Sequence, residues 1–212
     1  ILHLFSTRTP SGILYEIDMR LRPSGDSGLL VSSLSAYELY QQNEAWTWEH
    51  QALVRARAVV GEAAIVADFN QIRQQVLSRH RDQAALQQEV VAMRDKMRAH
   101  LLRGTAEQYD LKQGAGGMTD IEFMAQYLVL AHAEAHPDTM TRWSDNVRIF
   151  DTCAEEGLLT DEESARLKKA YLAIRDMAHR CTLSGQSRIV EGGELLAERQ
   201  WVSGLWQRLL AD

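Results

Sequence analysis

Asp18, Arg20 and Arg22 occupy every second position of Tyr15-Glu16-Ile17-Asp18-Met19-Arg20-Leu21-Arg22-Pro23-Ser24-Gly25. A strand turns successive side chains to opposite faces. An extended backbone over 13–22 therefore predicts Leu14, Glu16, Asp18, Arg20 and Arg22 on one face. Ile13, Tyr15, Ile17, Met19 and Leu21 then share the other, apolar face. A carboxylate is a hard oxygen ligand for a divalent cation, and guanidinium groups neutralise and orient phosphate oxygens. Such a row suits a site that holds a metal and a polyphosphate. It equally suits a half-exposed strand on which aspartate and arginine pair with each other. Pro23-Ser24-Gly25 ends the run with turn chemistry.

Positioning that row falls to the elements around it. The first five residues read as the end of a helix or strand, and Gly28–Ser32 as a short edge strand. Ser35-Ala36-Tyr37-Glu38 has capping-box spacing, which predicts a helix through Val60 that stops at Gly61. Two more helices are predicted over 62–78 and 83–102, the second with Leu86, Val90, Met93 and Met97 as its apolar stripe. Gly114-Ala115-Gly116-Gly117 leads into Thr119-Asp120-Ile121-Glu122, a second box, whose helix should end near His136-Pro137. Helices over 145–156, 161–184 and 193–210 follow, and Thr160-Asp161-Glu162-Glu163 opens the middle one. A boundary near Gly61 separates a mixed α/β segment, 1–61, from an all-helical one, 62–212.

The remaining chemistry-bearing clusters have plainer readings. The Gly114–Gly117 loop precedes a helix N-terminus, a common place for phosphate, but it lacks the lysine and spacing of a P-loop. Thr119 and Glu122 read as a capping pair, and Asp120 suits the positive end of the helix dipole. His132 and His136 flank Glu134 as His-x-Glu-x-His, the wrong order for a zinc protease. Trp46 and Trp48 read as core anchors of their helix, or as walls of a nucleotide pocket. Cys153 and Cys181 lack metal-ligand spacing and read as buried reduced thiols of a cytoplasmic protein.

With 212 residues, 45% of them hydrophobic, the chain can bury one sizeable core or two small ones. Its formal charge of −6 argues against a dedicated nucleic-acid binder. No run has the apolar length of a membrane span and no signal peptide is visible. The chain opens at Ile1 without an initiator methionine, and reads as a piece of something longer.

Three further strings join the Tyr15–Gly25 run: Asn43-Glu44-Ala45-Trp46-Thr47-Trp48-Glu49-His50-Gln51-Ala52-Leu53-Val54-Arg55-Ala56-Arg57, then Gly116-Gly117-Met118-Thr119-Asp120-Ile121-Glu122-Phe123, then Thr141-Arg142-Trp143-Ser144-Asp145-Asn146-Val147-Arg148. In this order they resemble the glutamine synthetase adenylyltransferases, bifunctional enzymes with two homologous nucleotidyltransferase halves. The resemblance is to the adenylylating C-terminal half, and is weakest after Cys181. It implies transfer of AMP from ATP to a tyrosine of glutamine synthetase, with Mg2+. It implies Asp18 as the third metal carboxylate and catalytic residue, with Arg20 and Arg22 as nucleotide-binding residues. The PII nitrogen-signal protein is an implied partner. The implied fold is mostly α: an all-helical bundle domain preceded by the remainder of an α/β nucleotidyltransferase domain. The family's Gly-Ser…Asp-x-Asp pair, which supplies the other two carboxylates, has no counterpart in this sequence. The piece alone is therefore expected to be nearly inactive. The related adenylyl-removing half and a non-catalytic helical interaction module are the alternative readings.

Overall fold

The computed structural model describes residues 2–13, 17–19 and 21–210. The chain divides into two compact units, one up to Ala45 and one from Trp46 onward.

The first unit contains α1 (Leu2–Ser6), a short 3-10 turn (Gly25–Ser27) and α2 (Leu34–Asn43). Its start is capped by Ser33, whose hydroxyl accepts from the Ala36 N–H at 3.2 Å. The capping residue is thus Ser33 and not Ser35. The strand expected over 13–22 does not form among the described residues: Ile13, Ile17–Met19, Leu21 and Arg22 lie outside any strand. Leu14–Glu16 and Arg20 fall outside the described residues. Alternation proposes a strand, but a partner strand must complete it. In this unit the described backbone pairs only at an isolated bridge between Thr9 and Gly12. Gly28–Ser32 is likewise irregular rather than an edge strand.

The second unit is helical, with α3 (Thr47–Val54), α4 (Ala63–Leu77), α5 (Gln83–Leu101), α6 (Met118–His132), α7 (Pro137–Met140), α8 (Asn146–Glu155), α9 (Asp161–Leu183) and α10 (Leu196–Leu210). Helix α6 is its axis. Ile121, Met124, Ala125, Leu128, Val129 and Leu130 are buried around its whole circumference, the pattern of a helix enclosed by others. Helices α3, α5, α8, α9 and α10 pack against it. None of the described helices is long and apolar enough to cross a membrane.

The single long helix expected from Ser35 to Val60 is instead α2 and α3. Both Glu44 and Ala45 donate to the Tyr40 carbonyl at 2.9 Å, closing α2. Trp46 is then extended, and its N–H donates to the Glu49 carboxylate at 2.9 Å, which starts α3. The Thr160 box forms as expected, its hydroxyl accepting from Glu163 N–H and the Glu163 carboxylate accepting from Thr160 N–H. The Thr119 box does not form. Gly117 is the cap of α6, and Thr119 is buried with no hydrogen-bond partner for its hydroxyl. Helix α6 ends at His132, before the short α7 at Pro137.

A two-stranded antiparallel sheet, absent from the sequence-based expectation, joins β1 (Gln108–Asp110) to β2 (Ile189–Glu191). Its register pairs Gln108 with Glu191, Tyr109 with Val190, and Asp110 with Ile189. Three-residue strands so distant in sequence carry no readable alternation.

Candidate functional site

Asp18 is exposed in the first unit. Among the described residues no group of three or more His, Cys, Asp or Glu side chains could hold a metal ion. Arg22 is largely spent on its own turn. Its Nη1 donates to the Met19 carbonyl at 2.7 Å and its Nη2 to the Asp26 carbonyl at 3.2 Å. The Asp26 carboxylate lies 3.5 Å from Nη1. Arg22 is thus ion-paired with Asp26 four residues on; Glu16 lies outside the described residues. Gly28 closes this turn so tightly that a Cβ there would sit 1.9 Å from the Pro23 carbonyl oxygen. Arg20 falls outside the described residues.

In the second unit the three long strings meet. Arg55, just past the end of α3, donates from Nη1 to the Asn146 side-chain carbonyl at 3.2 Å and approaches Glu122 at 3.5 Å. Gln51 donates to Gln126 across the α3–α6 contact at 3.1 Å. Buried Arg73, on α4, takes the carbonyls of Leu53 at 3.1 Å and Val54 at 2.7 Å, two of the orphan acceptors at the α3 C-terminus. The same guanidinium reaches the Thr141 carbonyl and, at 3.2 Å, that of Trp143. Two guanidiniums lie over the Trp143 ring, Arg142 at 4.7 Å and Arg148 at 4.0 Å from its centre. Neither tryptophan of α3 is in the core: Trp46 is 70% exposed and Trp48 38%. Helical phase turns Glu49, His50 and Gln51 inward in their place.

The glycine loop is held from below by a buried ion pair. Arg94 on α5 is fully buried and donates from Nε to Asp120 Oδ1 at 2.5 Å. Its other nitrogens go to the Gln113 side chain at 3.0 Å and the Gln113 carbonyl at 2.9 Å. Arg98 bridges both oxygens of Asp120 at 3.0 Å. Asp120 also accepts from the Gly116 N–H at 2.7 Å, so it ties the loop to α5. A Cβ on Gly116 would lie 2.0 Å from the Arg199 carbonyl oxygen, and one on Gly117 2.8 Å from that of Gly114. The loop N–H groups are also taken, Gly116 by Asp120 at 2.7 Å and Gly117 by the Gly114 carbonyl at 3.0 Å. Arg199 in turn stacks 3.6 Å above the Tyr109 ring. Burial drives the Tyr109 hydroxyl well above its ordinary pKa, and the hydroxyl donates to the Ala115 carbonyl at 3.1 Å.

Arg94, Arg98, Arg73 and Gln113 were not singled out from the sequence. One signal was present for Arg94. It follows Leu86 and Val90 at four-residue spacing, so it stands in phase with the apolar stripe of α5.

The histidines of the His-x-Glu-x-His string go separate ways. Glu134 accepts from His80 at 2.8 Å, and His136 pairs with Glu156 at 2.7 Å. His132 titrates below its ordinary value because it is partly buried, with neighbouring His136 adding to the effect. Cys153 is buried as expected, whereas Cys181 is only half-buried; both are free thiols.

Residues 1–72 match the family model described as GlnE, glutamate-ammonia ligase adenylyltransferase. Residues 70–188 match that described as GlnD PII-uridylyltransferase. Among curated proteins the chain is similar to the bifunctional glutamine synthetase adenylyltransferase/adenylyl-removing enzyme of Psychromonas ingrahamii, with 58% identity over 99% of this chain and 22% of that protein. The corresponding enzyme of Pasteurella multocida is 53% identical over 99% of this chain and 21% of its own length. That of Mannheimia haemolytica is 52% identical over 98% and 22%. The chain therefore spans about a fifth of the length of these relatives.

Proposed function

Because the chain belongs to the GlnE/GlnD family, we propose that it is part of the adenylylating half of a cytoplasmic glutamine synthetase adenylyltransferase. In this reading a tyrosine hydroxyl of glutamine synthetase attacks the α-phosphorus of ATP. The new tyrosyl O–P bond forms as the bond to pyrophosphate breaks, and the hydroxyl proton leaves to solvent. Mg2+, when bound, neutralises phosphate oxygens as charge shifts to the leaving group. Asp18 contributes one of its carboxylate ligands. Arg20 and Arg22 face the nucleotide phosphates, Arg22 through whatever donor capacity its turn leaves free. Residues 1–61 are the end of the nucleotidyltransferase domain and 62–212 its helical companion. The two family models meet at residues 70–72, inside α4, and the compact units divide between Ala45 and Trp46. PII is the regulatory partner.

The observation that carries this reading is the match of nearly the whole chain, at 52–58% identity, to enzymes whose names state both activities. The sequence has no Gly-Ser…Asp-x-Asp segment. Residues 1–212 alone are accordingly expected to transfer little AMP, since placing the reactants accounts for much of the acceleration.

The test is transfer of labelled AMP from ATP to glutamine synthetase. A longer protein that restores the segment preceding Ile1 is compared with its Asp18→Ala version and with residues 1–212 alone. Transfer by the longer wild type, lost in Asp18→Ala, is the expected result. Full activity in Asp18→Ala would return Asp18 to a scaffolding role. Phosphate-dependent release of ADP from modified glutamine synthetase, without forward transfer, would assign the chain to the adenylyl-removing half.

A further inference from the structure

Two cavities flank β2, and the groups that line them are sorted by charge. The smaller, about 380 Å³, is lined by Arg103, Thr182, Gln186, Ser187, Arg188 and Ile189. Thr182 gives its hydroxyl hydrogen to the Ala178 carbonyl at 3.0 Å, which leaves Arg103, Gln186, Ser187 and Arg188 as the side-chain donors of the cavity, and no carboxylate is among its lining residues. Arg188 is held in place from behind: its Nε donates at 3.1 Å to Asp110, a fully buried carboxylate that also accepts the N–H groups of Lys112 and Gln113. The remaining nitrogens of that guanidinium stay available to the cavity. Arg103 hydrogen-bonds through Nη1 to the carbonyls of His100 and Leu102, and among the described residues it makes no ion pair with a carboxylate. Ser187 Oγ accepts from Ile189 N–H at 3.2 Å, which leaves its own hydrogen to donate.

We infer that the Arg103–Arg188 cavity binds the phosphoryl end of a small phosphomonoester. Guanidinium forks suit both carboxylates and phosphates. Here, however, the donor side chains outnumber the two oxygens of one carboxylate and suit the three free oxygens of a phosphoryl group. The volume falls in the range of small-molecule sites and exceeds what inorganic phosphate would fill. The second cavity, about 850 Å³, shares Gln186 and Ile189 with the first and includes Glu107, Gln108 and Glu191 in its lining. A ligand anchored by its phosphate would extend along this acceptor-rich wall, so its body carries hydroxyl or amino donors. This site shares no residue with the Asp18 region, and the inference does not depend on the proposed transferase activity.

The test is calorimetric titration of residues 1–212 with inorganic phosphate, ribose 5-phosphate and succinate at matched low ionic strength. Saturable binding of ribose 5-phosphate, about tenfold tighter than phosphate, is expected, with succinate weakest. Arg103→Gln and, separately, Gln186→Glu should each weaken it at least tenfold while retaining the wild-type circular dichroism. Phosphate binding as tightly as the sugar phosphate would mark a site for the free ion and overturn the assignment. Tighter succinate, no saturation by either phosphate compound in the millimolar range, or unchanged affinity in both variants would overturn it as well.

Discussion

Replacing Asp120 with asparagine isolates the buried ion pair that holds the glycine loop. The substitution keeps the shape of the side chain and removes its charge. Arg94 is fully buried and its Nε has Asp120 as acceptor at 2.5 Å, so the variant leaves a buried cation with only neutral acceptors, those of Gln113 and the new amide. Breaking one side of a buried pair costs about 3–5 kcal/mol, a large part of the roughly 5–15 kcal/mol that stabilises an ordinary domain. At about 2–4 °C per kcal/mol for a chain of this size, the melting temperature should fall by roughly 6–20 °C. Urea unfolding followed by circular dichroism at several temperatures reads the change directly. Arg98→Gln is the internal comparison. Arg98 is 30% exposed and binds the same carboxylate at 3.0 Å, so its loss should cost only about 1 kcal/mol. An Asp120→Asn protein within about 0.5 kcal/mol of wild type, the size of an ordinary surface substitution, would refute the reasoning. It would mean that Gln113 and water satisfy Arg94 without the carboxylate.

The loop makes a second prediction through its glycines. Gly116 and Gly157 both have positive φ, +70° and +72°, but only Gly116 faces an obstacle, the Arg199 carbonyl. Gly157→Ala should cost about 1–2 kcal/mol for the backbone alone, and Gly116→Ala about 2–5 kcal/mol once the clash is added; equal costs in urea unfolding would contradict the packing described. Burial pushes the Cys153 thiol up to about 12, so the native state keeps a proton that the unfolded chain loses from about pH 8.5 upward. The unfolded state then binds fewer protons, and stability falls as pH rises from about 9 toward 12, by at most about 1.4 kcal/mol per unit. Cys153→Ala should lessen that slope between about pH 9 and 10, below the range in which the raised Tyr109 hydroxyl adds its own, and an aromatic disulfide reagent should label Cys181 alone in the folded protein at pH 8; an unchanged slope together with labelling of Cys153 would refute its burial.

Most helices were legible from local rules. Thr160 and Glu163 satisfy each other across one turn, and the stripe of α5 needs only the 3.6-residue period, so no distant partner was required to infer them. Residues 1–34 show the opposite case. Perfect alternation at 13–22 describes which faces an extended chain would present, but a strand exists only where another backbone completes its hydrogen bonds. The β1–β2 pair is the converse, two segments without a local signature that pair because the helices between them bring Tyr109 beside Val190.

The sequence by itself determined the family resemblance, the identity of Asp18, Arg20 and Arg22 as candidates, and the helical character of the second unit, because these rest on residue type and short-range spacing. Only the tertiary structure decided what the polar residues of that unit do. Arg94 and Asp120 stand twenty-six positions apart, and Arg55 meets Asn146 across ninety-one. Spacing along the chain carries no trace of such pairs. They are set by how α3, α5 and α8 pack around α6, and by the cost of leaving a buried charge or donor without a partner.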